Sequence, residues 1–266
     1  MDLFTAIAAG VIQGMVEWLP LSSEAVLSLF FTTVAGKGTS EAFGASVFVH
    51  TGTMVSALFY FREEYAGMLK EALSGDGIRG KLREAGSEPV LRFLIVSTVL
   101  TGLSGGLIYF SGLRAALESP KVFYLLMSAA LALTGALRFY AGNSDRKEDS
   151  VTDSDSLLAG ILQGTAIVPG ISRSGSTSFI LLYRGFEPDS AFRLSFLMSV
   201  PAVLAGSIGL EVFTGVSFRP MYLVSAATAA LVGYLSIDLF LSVAERTGIA
   251  WICFFLSFLA LVPVFI

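Results

Sequence analysis

Apolar residues fall in long runs along this chain, and the run lengths set the first expectation. Runs of about 20 residues, enough to cross a hydrocarbon core of ~30 Å, lie at 89–110, 120–140, 191–214, 219–242 and 249–266, with a shorter one at 42–61. Two further apolar stretches are interrupted. Residues 3–36 break at Pro20-Leu21-Ser22-Ser23-Glu24, and residues 157–184 break at 169–177, PGISRSGST. Each break leaves two arms too short to span. The pattern therefore predicts two re-entrant helical hairpins, since non-helical backbone at membrane depth is tolerated where protein or a wet cavity surrounds it. Within the polar loop 62–88, Glu64–Leu73 has the spacing of a surface helix. The Ser- and Asp-rich stretch 141–156 reads as a linker that carries no chemistry.

After that linker the order of elements restarts. Gln13-Gly14 leads to Pro20-Leu21-Ser22-Ser23 as Gln163-Gly164 leads to Pro169-Gly170-Ile171-Ser172, and Phe48 to Ala57 parallels Phe196 to Ala205. The expected fold is all-α: a polytopic membrane protein forming one integral membrane domain, with repeat halves 1–140 and 157–266. Each half holds one broken hairpin plus three crossings. An odd number of crossings makes the halves inverted, an arrangement that places sites between discontinuous helices near the midplane. On this topology one face receives twelve Lys and Arg (Arg62, Lys70, Arg79, Lys81, Arg83, Arg92, Arg138, Arg146, Lys147, Arg184, Arg193, Arg246) and the other four (Lys37, Arg114, Lys121, Arg219). The positive-inside rule puts the first set in the cytoplasm and both termini outside.

Composition agrees with a membrane location: 54% hydrophobic residues, 14% charged, and a mean hydropathy of +0.75. The multi-pass protein is expected in the cell membrane. Residues 1–20 lack a basic start and a small-residue cleavage site, so the first segment is expected to remain. A lone Cys253 excludes a disulfide framework and a thiolate metal cluster, and a lone His50 excludes a multi-histidine site. The net charge of −4 points to no nucleic acid partner.

Candidate chemistry sits at the two breaks. Arg173 lies inside apolar sequence, where a cation costs roughly 2.5–3.5 kcal/mol on insertion scales and marks a functional site by default. Around it are Ser172, Ser174, Ser176 and Thr177 at the start of a new helix. Hydroxyls, free backbone N–H groups and a guanidinium converge on an anion, and phosphate is the natural guest. The other break offers Glu17, Ser22, Ser23 and Glu24, with Gln13 one turn before Glu17 on the same face. Carboxylates beside an anion site suggest a bridging divalent cation, Mg²⁺ or Ca²⁺, held in part by Glu17. Serine hydroxyls there supply a nucleophile or position the phosphate; the structural alternative is that Ser22 and Ser23 cap the second arm and Glu24 meets the helix dipole. His50 and Glu24 are the candidates for proton transfer, His50 equally serving as a neutral helix–helix hydrogen-bond donor. If the hairpins meet tip to tip, Arg173 lies beside Glu17.

At these residues the chain resembles the bacitracin-resistance-type undecaprenyl pyrophosphate phosphatases, membrane enzymes that remove one phosphate from a polyprenyl diphosphate carrier lipid. AGVIQGMVEWLPLSSE at 9–24 and PGISRSGST at 169–177 carry the two family motifs, and the order of apolar segments matches along the whole chain. The resemblance implies a catalytic or metal-binding Glu17, a nucleophilic Ser23, and phosphate binding by Ser172, Arg173 and Thr177. It departs in the first motif. Gln13 stands where the family has glutamate, and Ser22-Ser23-Glu24-Ala25-Val26 replaces Ser-Ser-Thr-Gly-His, so Val26 holds the place of a histidine implicated in the chemistry.

The expected function is a phosphatase acting on a polyprenyl (undecaprenyl- or dolichyl-type) diphosphate, with catalytic Glu17, Ser23 and Arg173. An isoprenoid diphosphate lipid and the bilayer are its partners, and the sequence admits a homodimer. The rivals are a transporter or flippase of a polyprenyl phosphate without hydrolysis, and a binding-only relative. With Val26 unable to accept a proton, the sequence favours a cation-and-carboxylate route that needs Glu17 and tolerates loss of His50.

Overall fold

The structure, a computed structural model, describes residues 1–19, 22–73, 89–111, 146–168, 171–214 and 220–246, with isolated positions within 125–139 and 251–261. Among these residues every extended element is helical. The chain forms α1 (Leu3–Val16), α2 (Ser23–Thr33), α3 (Thr39–Tyr60), α4 (Arg62–Leu73), α5 (Pro89–Phe110), α6 (Asp153–Gly164), α7 (Arg173–Tyr183), α8 (Pro188–Thr214) and α9 (Pro220–Arg246). Four of them, α3, α5, α8 and α9, are long and apolar enough to cross a membrane, which makes this a polytopic helical membrane protein. They occupy the runs expected at 42–61, 89–110, 191–214 and 219–242. The runs expected at 120–140 and 249–266, and Cys253, lie outside the described residues apart from isolated positions.

Both broken stretches form pairs of short helices. The arms Leu3–Val16 and Ser23–Thr33 recur as Asp153–Gly164 and Arg173–Tyr183, the second arms being 150 positions apart at both ends. Ser22 and Ser172 cap the second arms alike, each hydroxyl accepting from the backbone N–H three residues on, at 3.3 Å from Ala25 and 3.0 Å from Gly175. The first arms pack on long helices of the opposite half, α1 on α9 and α6 on α5. Glycine permits both approaches: a Cβ on Gly10 would stand 2.4 Å from the Ser225 carbonyl oxygen, and one on Gly160 2.6 Å from that of Ser97.

Of the stretch expected to be a linker, the described part, 146–156, is tied into the fold. Arg146 pairs its backbone with Gly185 and Glu187, and α6 already starts at Asp153 because Thr152 and Asp155 form a reciprocal cap. Asp155 is fully buried. It accepts from Arg146 Nη2 at 2.8 Å, Arg184 Nε at 2.6 Å and the Thr152 hydroxyl at 2.7 Å. Nearby, Arg193 on α8 bridges Glu64 of α4 (2.7 Å) and Glu148 (3.2 Å), and Arg92 pairs with Asp153. This end of the molecule is a layer of paired charges.

One apolar core gathers Trp18, Phe61, Phe93, Phe186, Phe192, Phe196 and Phe240. A smaller one holds α2 on α3 through Leu27, Phe31, Ala45 and Val49. Trp18 follows Glu17 directly and anchors that tip, its ring 5.0 Å from that of Phe196 and its Nε1 donating to the Gly233 carbonyl at 3.0 Å. Pro201 lies inside α8. With no N–H at 201, the carbonyl of Leu197 loses its helix partner, and the Tyr65 hydroxyl on α4 donates to it at 2.7 Å. The surface helix thereby secures the part of α8 that borders the site.

Candidate active site

The two tips meet. Glu17 caps the C-terminal end of α1 and Arg173 opens α7, and Arg173 Nη2 donates to Glu17 Oε1 at 2.8 Å although the residues are 156 positions apart. Arg173 Nη1 donates to the Ser195 carbonyl on α8 at 3.2 Å, so the planar fork is fixed at two corners. Ser174 stitches the tips by donating to the Leu19 carbonyl at 2.9 Å. The N-terminal ends of α2 and α7 both face this point, adding their partial positive charge to that of Arg173.

Glu17 is 4% exposed and its charge is fully engaged. Beyond Arg173, its Oε2 accepts from Gln13 Nε2 and from Ser23 Oγ, each at 2.7 Å. A second acceptor competes for the serine proton: His50 Nε2 lies 3.0 Å from Ser23 Oγ and 3.4 Å from Glu17 Oε2. The other imidazole nitrogen fixes the tautomer. Nδ1 lies 2.7 Å from the Ser46 carbonyl oxygen, which only accepts, so Nδ1 carries a hydrogen, and in the neutral imidazole the Nε2 lone pair is the one that faces Ser23. The imidazole that the first motif lacks at Val26 thus reaches the same hydroxyl from α3.

A cavity of about 150 Å³ opens on this group. Glu17, Ser22, Ser23, Glu24, His50, Arg173 and Ser174 line it, and Val47, Ala166, Ile171, Ala202 and Val203 form apolar wall. Gln13, Ser172, Ser176 and Thr177 do not border it. Gln13 sits behind Glu17, Ser172 caps α7, and Thr177 supports Arg173 by donating to its carbonyl at 2.9 Å while meeting Ser195 Oγ at 2.5 Å. Sequence reasoning missed Ser195, Thr101 and Gln163. No pattern marked the first two, whereas Gln163 had a signal, its match to Gln13.

Among the described residues no group of three or more His, Cys, Asp or Glu is placed to hold a metal ion. Gln13 Nε2 must face Glu17, since a carboxylate only accepts, and this leaves Gln13 Oε1 buried behind Glu17 with no partner. Glu17 and Glu24 do border the cavity, and carboxylate oxygens are hard ligands of the type Mg²⁺ and Ca²⁺ prefer. The pair would suit a cation that arrives with a phosphate group and is completed by its oxygens.

The model of one family, bacitracin resistance protein BacA, matches residues 6–262. The undecaprenyl-diphosphatase of Methanococcoides burtonii is 37% identical over 269 residues, covering 100% of both chains. That of Methanothrix thermoacetophila is 32% identical over 98% of this chain and 96% of its own, and that of Haloarcula marismortui 34% over 94% and 93%.

Proposed function

The chain belongs to the bacitracin resistance protein BacA family, and we infer that within it this protein is an undecaprenyl-diphosphatase, which releases inorganic phosphate and returns the carrier lipid as its monophosphate. The contact between Ser23 Oγ and His50 Nε2 beside Arg173 carries this reading. A carrier of lipid phosphate needs the cation, but a serine held against a correctly tautomerised base serves bond cleavage.

In the proposed reaction the terminal phosphate enters between the tips and Arg173 turns from Glu17 to its oxygens. Ser23 Oγ attacks phosphorus while its proton passes to His50 Nε2, and the bond to the bridging oxygen breaks. The lipid monophosphate leaves as a stable anion and needs no acid. Arg173 and the N-terminal ends of α2 and α7 stabilise the charge on the transferring phosphoryl oxygens. Glu17 holds Ser23 and Arg173 apart and in register before substrate arrives. Glu17 and Glu24 would hold a divalent cation, which when bound neutralises part of the diphosphate charge.

Two finer readings accompany this one. The matching arms 150 positions apart, each packed on the other half, support inverted repeats, each a re-entrant hairpin plus three crossings. The layer of paired charges around Asp155 and Arg193 supports a cytoplasmic location for that end, in the plasma membrane. The function is tested by phosphate release from undecaprenyl diphosphate in detergent. Movement of lipid phosphate across vesicles with no release of inorganic phosphate would sink the phosphatase and leave the transporter.

A further inference from the structure

One side chain on the cavity wall keeps hydrogen-bonding capacity that the reaction above does not use. Gln163 on α6 is 2% exposed and borders the cavity together with Thr101 of α5. Its Nε2 donates to Thr101 Oγ1 at 3.0 Å. That hydroxyl donates in turn to the Ser97 carbonyl at 2.7 Å, so only its lone pairs face the amide. The amide orientation is therefore fixed, and Oε1 is left buried with no partner in the protein. Buried acceptors of this kind are rare in native structures and call for something to fill them.

The position of this oxygen is rigid. A Cβ on Gly164 would lie 1.9 Å from Ser104 Oγ and one on Gly160 2.6 Å from the Ser97 carbonyl oxygen, so α6 cannot slide along α5. The first hairpin shows what is distinctive here. Gln13 has Glu17 four residues on, whereas Gln163 has Ile167, so the second hairpin presents a neutral acceptor where the first presents a carboxylate. A neutral acceptor on the wall of an anion site binds something that brings hydrogens. Diphosphate oxygens at neutral pH are mainly acceptors, a prenyl tail has no donors, and a cation is drawn to the carboxylates of the first hairpin, Glu17 and Glu24, which border the same cavity; this leaves water for the neutral acceptor.

We propose that Gln163 is a positioning residue whose Oε1 holds the water that hydrolyses the phosphorylated Ser23. The inference rests on the reading of Ser23 as nucleophile. In this step the water oxygen bonds to phosphorus as the Ser23 Oγ–P bond breaks. Both water hydrogens leave on dihydrogen phosphate, and the proton taken from Ser23 in the first step returns to its Oγ. No other reactant is required.

The test is rapid-quench kinetics with undecaprenyl diphosphate labelled in the terminal phosphate, using full-length protein in detergent. Gln163→Met keeps the length of the side chain and removes the acceptor. The expected result is a burst of about one lipid monophosphate per enzyme, label retained on Ser23, and steady turnover down about 100-fold, with an apparent KM that falls as well. Thr101→Val, which releases the anchor without touching Gln163, should show the same accumulation with a smaller loss, and Thr101→Ser should restore the wild-type rate. These variants decide the matter if Gln163→Met fails to fold. Unchanged turnover, or a burst slowed in step with turnover, overturns the assignment of Gln163 while Ser23 still labels. Full activity in Ser23→Ala, with no label on position 23 in any variant, overturns the covalent reading and this proposal with it.

Discussion

Replacing His50 by glutamine removes the base and leaves the cavity polar, and its outcome separates the two routes open to this site. In the structure Nδ1 is committed to the Ser46 carbonyl at 2.7 Å and Nε2 stands 3.0 Å from Ser23 Oγ. The other base in contact with that hydroxyl is Glu17 Oε2 at 2.7 Å, which already accepts from Gln13 while Oε1 faces Arg173. A carboxylate so engaged is a poor proton acceptor. Loss of a general base costs about 10²–10⁴ in rate, or about 3–5 kcal/mol of barrier. The expected result for His50→Gln is a fall in kcat of that size with KM changed less than about threefold, since Arg173 and the helix ends still hold the diphosphate. Ser23→Ala should lose as much, and the double variant no more than either single one, because the two side chains act in one step. The assay is phosphate release under saturating undecaprenyl diphosphate, with thermal unfolding to verify folding. Retention of a tenth or more of kcat by His50→Gln, together with full loss on chelation, would refute the reasoning and restore the cation-and-carboxylate route.

Arg173→Lys keeps the charge but cannot reach both Glu17 and the Ser195 carbonyl; kcat/KM should fall at least about 100-fold, the worth of one or two charged hydrogen bonds, and near-normal turnover would remove Arg173 from the site. Burial opposes the charge of Asp155, but hydrogen bonds from Arg146, Arg184 and Thr152 outweigh it and hold the carboxyl down at about 2. The network therefore stabilises the fold above the ordinary carboxylate range and loses that contribution as pH falls from about 4 towards 2. Asp155→Asn should cost about 3 kcal/mol at neutral pH, and the gap to wild type, followed by unfolding in detergent, should close on acidification; a gap independent of pH would contradict this. Tyr65→Phe should lower both stability and turnover, the former by about 1 kcal/mol, and should cost far less in a Pro201→Ala background, where the residue 201 N–H can meet the Leu197 carbonyl. Equal costs in the two backgrounds would mean that Tyr65 does not secure α8.

The spans at 42–61, 89–110, 191–214 and 219–242 and the breaks between paired short helices were legible because hydropathy reports them directly: a lipid-crossing helix needs an unbroken apolar run, and the polar residues that follow Val16 and Val168 interrupt one. The meeting of Glu17 and Arg173 followed from the odd number of crossings assigned to each half. The environment of His50 did not follow. Its place in an apolar run gives depth, but which face it turns is set by how Leu27, Phe31, Ala45 and Val49 pack α2 on α3, a tertiary fact with no local signal. Ser195 and Thr101 were hidden for the same reason, their partners being 22 and 62 positions away. Asp155 was legible and was misread. A Thr152-x-x-Asp155 pattern directly before an apolar run is a helix-start signature, but the surrounding Ser and Asp gave it the look of a solvated linker.

The likeness of the two hairpins bears on why the proposed reaction would need both. Ser23 and Arg173 occupy one and the same structural position, the first residue of the second arm after a capping serine. At that position a side chain projects beside a helix N-terminus, where an anion is drawn in and backbone N–H groups are free. Two such ends facing each other would both be suited to bind phosphate and neither to cleave it. In the proposed reaction this difference of one residue type divides the labour: the first tip would place a hydroxyl, backed by His50 and Glu17, on the attacking side, and the second a guanidinium against the oxygens whose charge rises as the bond to the lipid breaks. Exchanging serine for arginine at 23 would bring a second cation beside Arg173 and remove the nucleophile. Tighter binding of diphosphate with no turnover is the expected outcome, and phosphate release by that variant would show that position 23 is not where attack begins.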